Sequence, residues 1–228
     1  MKTINKHVKS NPNILHTFET IQCSELENIE IMKLYQGSLN DYLNKFNLFE
    51  IEILLKQILL CQLHIYSKIG FLHNDIHLGN ILVKIIDESK EPETLIYTIK
   101  KRKYMIKTYF KLILSDFDKS IIYDQNILPL EKYNNEYTIH YNIVKTINVF
   151  KNLLNKLDQQ KLSESLEKSL KVFSFDFMNS SEKLLRSYYK NNRDLNDFIE
   201  ISTMECIVML NDLWMSLYNK NLFPAHAL

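Results

Sequence analysis

Glycine is scarce in this 228-residue sequence, with only three residues, and proline is hardly commoner at four. That scarcity excludes low-complexity linkers, and no internal repeat is visible, so the length fits one sizeable core, alone or with an appendage. Cysteine is sparse as well: Cys23, Cys61 and Cys206 are odd in number, far apart and in no metal-ligand spacing. A disulfide framework or a zinc ribbon is thereby excluded, and reduced thiols in a cytosolic-type compartment are expected. Arginine stands only at Arg102, Arg186 and Arg193, and 28 basic residues against 27 acidic ones leave a net charge of +1. No global field draws the chain to nucleic acid or to a membrane surface. Long apolar runs are lacking too. The most apolar stretch, Ile51 to Ile69, is interrupted by Glu52 and Lys56 and does not suit a bilayer span. Residues 1–13 are polar and show no signal-peptide pattern, so a soluble protein is expected.

What is present is a sequence 46% hydrophobic and rich in Ile, Asn, Lys and Tyr. Residues 29–35 are short, apolar and partly alternating, which suits a strand. Gln36-Gly37-Ser38 breaks it, and Ser38 is placed to cap a short helix through Leu39, Tyr42 and Leu43. From Phe49 to about Lys68 apolar residues recur around the whole circumference, predicting a long buried helix that ends at Gly70. Residues 81–86 read as a buried strand, 94–99 and 104–109 as a β-hairpin about Lys100-Lys101-Arg102-Lys103, and Leu112-Ile113-Leu114 as a further strand ending near Asp116. Beyond Tyr141 the pattern is helical, near 142–157, 160–173, 181–190 and 194–219. The fold class is therefore α+β, mostly helical.

Chemistry concentrates in two places. His73, Asp75, His77 and Asn80 fall within eight residues after the long helix, and Asp116 and Asp118 sit at the end of a later strand. Asp and Asn oxygens on two sheet-linked loops are hard-cation ligands, as Mg²⁺ bound to phosphates requires. Zinc would ask for softer ligands than this set offers. The bland alternatives are that Asp75 and Asn80 cap a loop and that Asp116 is an ordinary turn residue. Lys100 to Lys103 reads as a solvated hairpin tip, with a nuclear-localisation or nucleic-acid patch as the sharper alternative. Met209, Trp214 and Met215, at helical spacing, are expected in the core.

His73-Asn74-Asp75-(four residues)-Asn80 resembles the protein-kinase catalytic loop His-Arg-Asp-x-x-x-x-Asn, and Asp116-Phe117-Asp118 resembles its Asp-Phe-Gly motif. Asn11-Pro12-Asn13-Ile14 is similar to the turn before the fourth kinase strand. The resemblance implies ATP and Mg²⁺ as cofactors and a protein substrate or partner. It makes Asp75 the residue that orients or deprotonates the substrate hydroxyl, with His77 beside it, and gives metal binding to Asn80, Asp116 and Asp118. Met32, Lys33 and Leu34 would be the hinge against adenine, Leu82 its floor, and Ser115 a further nucleotide contact. His73 and Phe117 would hold the two loops in register, and Asn142 would anchor the catalytic loop. The separation of Asp75 and Asp116, 116 − 75 = 41 residues, reflects the hairpin inserted at 94–109. That insertion and the Asp-x-His-x-Gly-Asn variant resemble haspin-like serine/threonine kinases and kinases of large DNA viruses, with which an AT-rich coding bias agrees.

On this reading, residues 1–28 are the remnant of a kinase N-lobe and 29–228 a C-lobe. The glycine-rich loop, the β3 lysine and the αC glutamate have no counterparts, the last falling near Met1 to Thr3, where no acid stands. A partner supplying an N-lobe is one consequence, weak or absent catalysis another. Asn74 replaces the loop arginine that pairs with an activation-loop phosphate. Asp118 replaces a glycine whose backbone freedom Asp lacks, and Lys119 to His140 has no Ala-Pro-Glu. Three functions stay open: a serine/threonine kinase, a pseudokinase binding module, and a small-molecule phosphotransferase of the aminoglycoside or choline kinase kind. The cytoplasm is the expected location, with a virion or nucleus as variants.

Overall fold

The computed structural model describes residues 11–15, 17–22, 28–87, 89–123, 138–156 and 194–219, with 160, 163, 164, 167, 168 and 183 between the last two blocks. The helices expected at 160–173 and 181–190, most of the segment 119–140, Cys23, Arg186, Arg193 and Met1 to Thr3 lie outside the described residues, in whole or in large part.

The strands are β1 (Thr17–Gln22), β2 (Asn28–Met32), β3 (Gly37–Ser38), β4 (Phe71–Leu72), β5 (Ile81–Ile85), β6 (Glu93–Ile99), β7 (Arg102–Thr108), β8 (Phe110–Leu114) and β9 (Ile121–Ile122). The α-helices among the described residues are α1 (Leu48–Ile69), α2 (Ile139–Lys156) and α3 (Leu195–Asn219). The class is α+β, with small antiparallel sheets pairing β1 with β2, β5 with both β3 and β8, β4 with β9, and β6 with β7.

Helix α1 organises the rest. Asn47 caps its start, its Oδ1 accepting from Glu50 N at 3.0 Å while the Glu50 carboxylate accepts from Asn47 N at 2.7 Å. Its end is Gly70, left-handed at φ 63°, whose N–H donates to Tyr66 O at 2.8 Å. A Cβ at Gly70 would lie 2.9 Å from Tyr123 Cβ and 3.0 Å from Ile199 Cδ1, so neighbours as well as dihedral demand glycine.

Four polar residues buried along α1 each join it to a different layer. Gln57 donates to Phe110 O and accepts from Leu112 N, both at 3.0 Å, closing the edge of β8 that β5 leaves open. Gln62 donates to Thr146 Oγ1 on α2 at 2.8 Å, and Tyr66 shares a 2.8 Å hydrogen bond with Ser202 on α3. His64 Nδ1 accepts from Thr98 N on β6 at 3.0 Å. Farther along β8, Leu114 N donates to Asn13 O at 2.7 Å and Leu15 N donates to Leu114 O at 3.0 Å. The segment about Pro12 is thus sewn to the sheet.

The β6–β7 hairpin is no appendage. Leu95, Tyr97 and Ile99 are fully buried, and Tyr97 donates its hydroxyl proton to Asn13 Oδ1. Its turn is Lys100-Lys101, tighter than the four-residue tip expected, and Lys100 pairs with Glu200 of α3 at 2.9 Å. The strand expected over 29–35 stops at Met32, and Ser38 begins a 3₁₀ helix (Leu39–Lys45) rather than an α-helix. Met209 and Trp214 are in the core, but Met215 is 58% exposed, because it sits on the opposite side of α3 from Leu213, Trp214 and Leu217.

Candidate functional site

Two strand pairings bring the two chemistry-bearing loops face to face. Loop 73–80 runs from β4 to β5 and loop 115–120 from β8 to β9, while β4 pairs with β9 and β5 with β8. Leu72 lies opposite Ile121 at one end, and Ile81 opposite Leu114 at the other. Both loops are thereby pinned at both ends, and their side chains must meet.

The contacts between them are dense. Ser115 N and Oγ donate to Asn80 O at 2.9 and 3.0 Å. Asp75 N donates to His73 Nδ1 at 3.4 Å, which leaves the proton on Nε2 to be donated to Ser115 O at 2.9 Å. Burial pushes His73 down to about 4, so this neutral tautomer persists at ordinary pH. Its ring centroid lies 5.2 Å from that of Phe117, which also meets Phe71 edge-on at 5.9 Å. Ser120 Oγ donates to His73 O at 3.1 Å, and Asn74 Nδ2 donates to Lys119 O at 3.3 Å.

Asn74 adopts a left-handed conformation, φ 61°, which Asn tolerates better than most residues. Its N–H donates to Asn142 Oδ1, and Asn142 Nδ2 donates back to Asn74 Oδ1, each at 2.9 Å. Asn142 Nδ2 also donates to Thr138 O at 3.1 Å, and Lys145 Nζ donates to Asn74 O at 3.0 Å. Helix α2 therefore grips loop 73–80 through Asn74.

Asp75 presents its carboxylate at the mouth of the loop, its Oδ2 accepting from Lys119 Nζ at 3.0 Å. The hydrogen bond from Lys119, helped by that ammonium charge and by His77 and Lys145, holds the carboxyl below its ordinary value. Asn80 is buried, and its Nδ2 donates to Asp75 O at 3.1 Å. Asp116 is exposed and left-handed at φ 58°, and its Oδ1 accepts from Asp118 N at 3.4 Å. The backbone strain expected at Asp118, for want of glycine, sits instead at Asp116, since Asp118 has no positive φ. Two exposed carboxylates beside a buried amide form an oxygen donor set suited to a hard divalent cation that also binds phosphate. Among the described residues, no group of three or more His, Cys, Asp or Glu is gathered as a self-sufficient metal site.

His77 makes its hydrogen bond within its own loop. Its Nδ1 accepts from Gly79 N at 3.1 Å, capping the short turn Leu78–Asn80, and it lines a cleft of about 510 Å³ with Asn152 and Lys156 of α2. The 32–34 segment is exposed, Met32 at 41% and Leu34 at 93%. Lys33, with Tyr35, borders a cleft of about 400 Å³ over the outer face of β5 and β8, where Ile113 forms part of the lining. Leu82, half-buried and opposite Ile113 in register, shares that outer face. Ser115 is nearly buried with its hydroxyl committed to Asn80, so it braces the loops. Asp75, Asn80, Ser115, Asp116, His73 and Phe117 are brought together, with Asn142 behind them, whereas Met32, Lys33, Leu34 and Leu82 lie apart by the sheet's outer face and the segment that precedes it. Sequence reasoning missed Lys119, Lys145 and the positive part played by Asn74. Only the place of Lys119, just after Asp118, could have signalled it.

No protein-family model matches the sequence, and no curated protein matches it. Among solved structures, the kinase PK-1 of Cydia pomonella granulovirus is similar at 17% identity and a TM-score of 0.41, over 66% of this chain and 54% of that one. A Plasmodium kinase domain is similar at 19% identity and a TM-score of 0.39, over 67% and 49%. The chain thus spans about half the length of each.

Proposed function

We propose that this chain is a kinase-like phosphotransferase, taking Mg²⁺·ATP as phosphoryl donor and a protein serine or threonine hydroxyl as acceptor. The observation that carries the reading is the double pinning of loops 73–80 and 115–120, which sets the half-buried Asp75 and the Asn80 amide against the loop that carries Asp116. Asp75, kept ionised, accepts the proton of the attacking hydroxyl. Asn80 and Asp116 would hold the metal, with Asp118 beside them. Bound Mg²⁺ supplies positive charge against the phosphate oxygens as negative charge moves toward the leaving group. His73, buried and neutral, keeps the two loops at fixed separation without adding charge of its own. The outer face of the sheet, with Leu82 and Ile113, offers an apolar floor for the base, and the backbone of 32–34 its polar edge.

The test is nucleotide binding followed by transfer. Mg²⁺·ATP at millimolar concentration should raise the melting temperature, and Asp116→Ala should remove the Mg²⁺ dependence of that shift. Asp75→Ala should retain binding while abolishing transfer of labelled phosphate to a mixed protein substrate. Absence of any shift with the wild-type chain overturns the reading. A shift without transfer makes the chain a nucleotide-binding module instead.

A further inference from the structure

Catalysis at Asp75 requires a cation near the transferred group, and Lys119 is placed to supply it. The lysine Nζ lies 3.0 Å from Asp75 Oδ2, yet its side chain is 68% exposed against 20% for Asp75. An ammonium group has three donors, so one bond to Asp75 leaves two for another anion. The backbone of Lys119 is not adrift. Its carbonyl accepts from Asn74 Nδ2 at 3.3 Å, and the next residue, Ser120, is tied to His73 O.

Lys145 and His77 also act on the Asp75 carboxyl through their charge, but among the described residues Lys119 is the cation that hydrogen-bonds it. Lys145 Nζ donates to Asn74 O at 3.0 Å. His77 has its Nδ1 on Gly79 N and faces the cleft shared with Asn152 and Lys156. A hydroxyl within reach of Asp75 must also be within bonding distance of the phosphorus it attacks. Oxygens of the transferred phosphoryl group therefore fall within a few ångströms of a cation that already touches Asp75.

We infer that Lys119 binds the terminal phosphoryl group of the nucleotide while remaining on Asp75, so that one ammonium bridges base and transferred group. This rests on the phosphotransferase reading above. In the step itself the hydroxyl oxygen forms a bond to the γ-phosphorus, the bond from that phosphorus to the β,γ-bridging oxygen breaks, the hydroxyl proton passes to Asp75, and ADP leaves. Lys119 lends charge to the equatorial oxygens throughout and takes up no proton.

The prediction separates triphosphate from diphosphate. With the full chain in Mg²⁺, calorimetric titration of Lys119→Gln should show ATP binding weakened by about tenfold or more, and ADP binding changed less than about twofold. Lys119→Arg, which keeps the charge, should restore ATP affinity to within about threefold of wild type. Equal weakening for both nucleotides, or no change for either, overturns the role of Lys119 while leaving the phosphotransferase reading intact. Failure of the wild-type chain to bind either nucleotide overturns both. Circular-dichroism melting of each variant should match wild type, which separates a lost ligand contact from a lost fold.

Discussion

Asn142 and Asn74 hold each other reciprocally: each amide oxygen accepts one 2.9 Å hydrogen bond from the other residue, on one side from the backbone and on the other from the side chain. The pair joins helix α2 to the one residue of loop 73–80 whose backbone is left-handed. A carboxylate or an aliphatic side chain at 142 cannot reproduce it, because the same amide also donates to Thr138 O. Asn142→Leu leaves the Asn74 N–H and carbonyl side unsatisfied, and a destabilisation of roughly 2–4 kcal/mol is expected from two lost partners. Urea unfolding measures it. Asn142→Asp, which keeps only the acceptor, should fall between wild type and Leu.

Tyr97→Phe tests whether the β6–β7 hairpin belongs to the core. The change removes the donor to Asn13 Oδ1, which is completely buried, and should cost about 1–3 kcal/mol. Replacing 93–108 by a short turn should abolish cooperative unfolding rather than yield a smaller stable domain, because Leu95, Tyr97 and Ile99 form part of the main core. A sharp thermal transition in that deletion would show the hairpin to be dispensable.

Gly70→Ala combines a strained dihedral at φ 63° with a close approach to Tyr123 and Ile199. The expected loss is roughly 2–5 kcal/mol, readable as a lowered denaturation midpoint. Since Tyr123 N donates to Gly70 O at 3.1 Å, amide exchange at Tyr123 should accelerate as well.

Acid should destabilise the fold before most carboxylates titrate. His64 is pulled down to about 4 by burial and by Lys68, and His73 to about 4 by burial, from an ordinary value of 6.5. The unfolded chain therefore binds more protons between pH 6.5 and about 4, so stability is full above that window and falls as pH drops through it. His64→Gln keeps an acceptor for Thr98 N and removes one of the two titrating groups. Its denaturation free energy should fall less steeply from pH 6.5 to 4.5, by roughly half if both histidines contribute alike.

His77 is expected to matter through its acceptor rather than its charge. On the phosphotransferase reading, His77→Asn retains a side-chain acceptor for Gly79 N and should leave transfer within about threefold of wild type. His77→Ala removes the cap and should cost about 0.5–2 kcal/mol of stability. A large loss of activity in the Asn variant, with stability unchanged, would place the imidazole in contact with substrate.

Much of this was legible in the sequence because it is local. Helix α1, its stop at Gly70, the hairpin and the strands about 81 and 112 follow from periodicity and punctuation, and the loop residues from their spacing. What was not legible depends on pairs distant along the chain. Gln57 at the edge of β8, Tyr97 on Asn13 and Lys119 on Asp75 are polar contacts between elements, and no periodic pattern announces them. Asn74 reads in the sequence only as the lack of an arginine that would pair with a phosphate, whereas its role in the fold depends on amide geometry and a positive φ. Met215 shows the same limit on one helix, where apolar character alone does not select the buried face.

The attachment of the segment about Pro12 to β8 also sets a timetable. Asn13 and Leu15 find their backbone partner at Leu114, and the Asn13 side chain donates to Leu112 O across 99 positions. A ribosome adding about 5–20 residues per second needs on the order of 5–20 s to make that partner after Asn13 has been joined. Through that interval the early segment has hydrogen-bonding groups but no strand to receive them, and the last strand of the central sheet both closes the site and releases its oldest part from waiting.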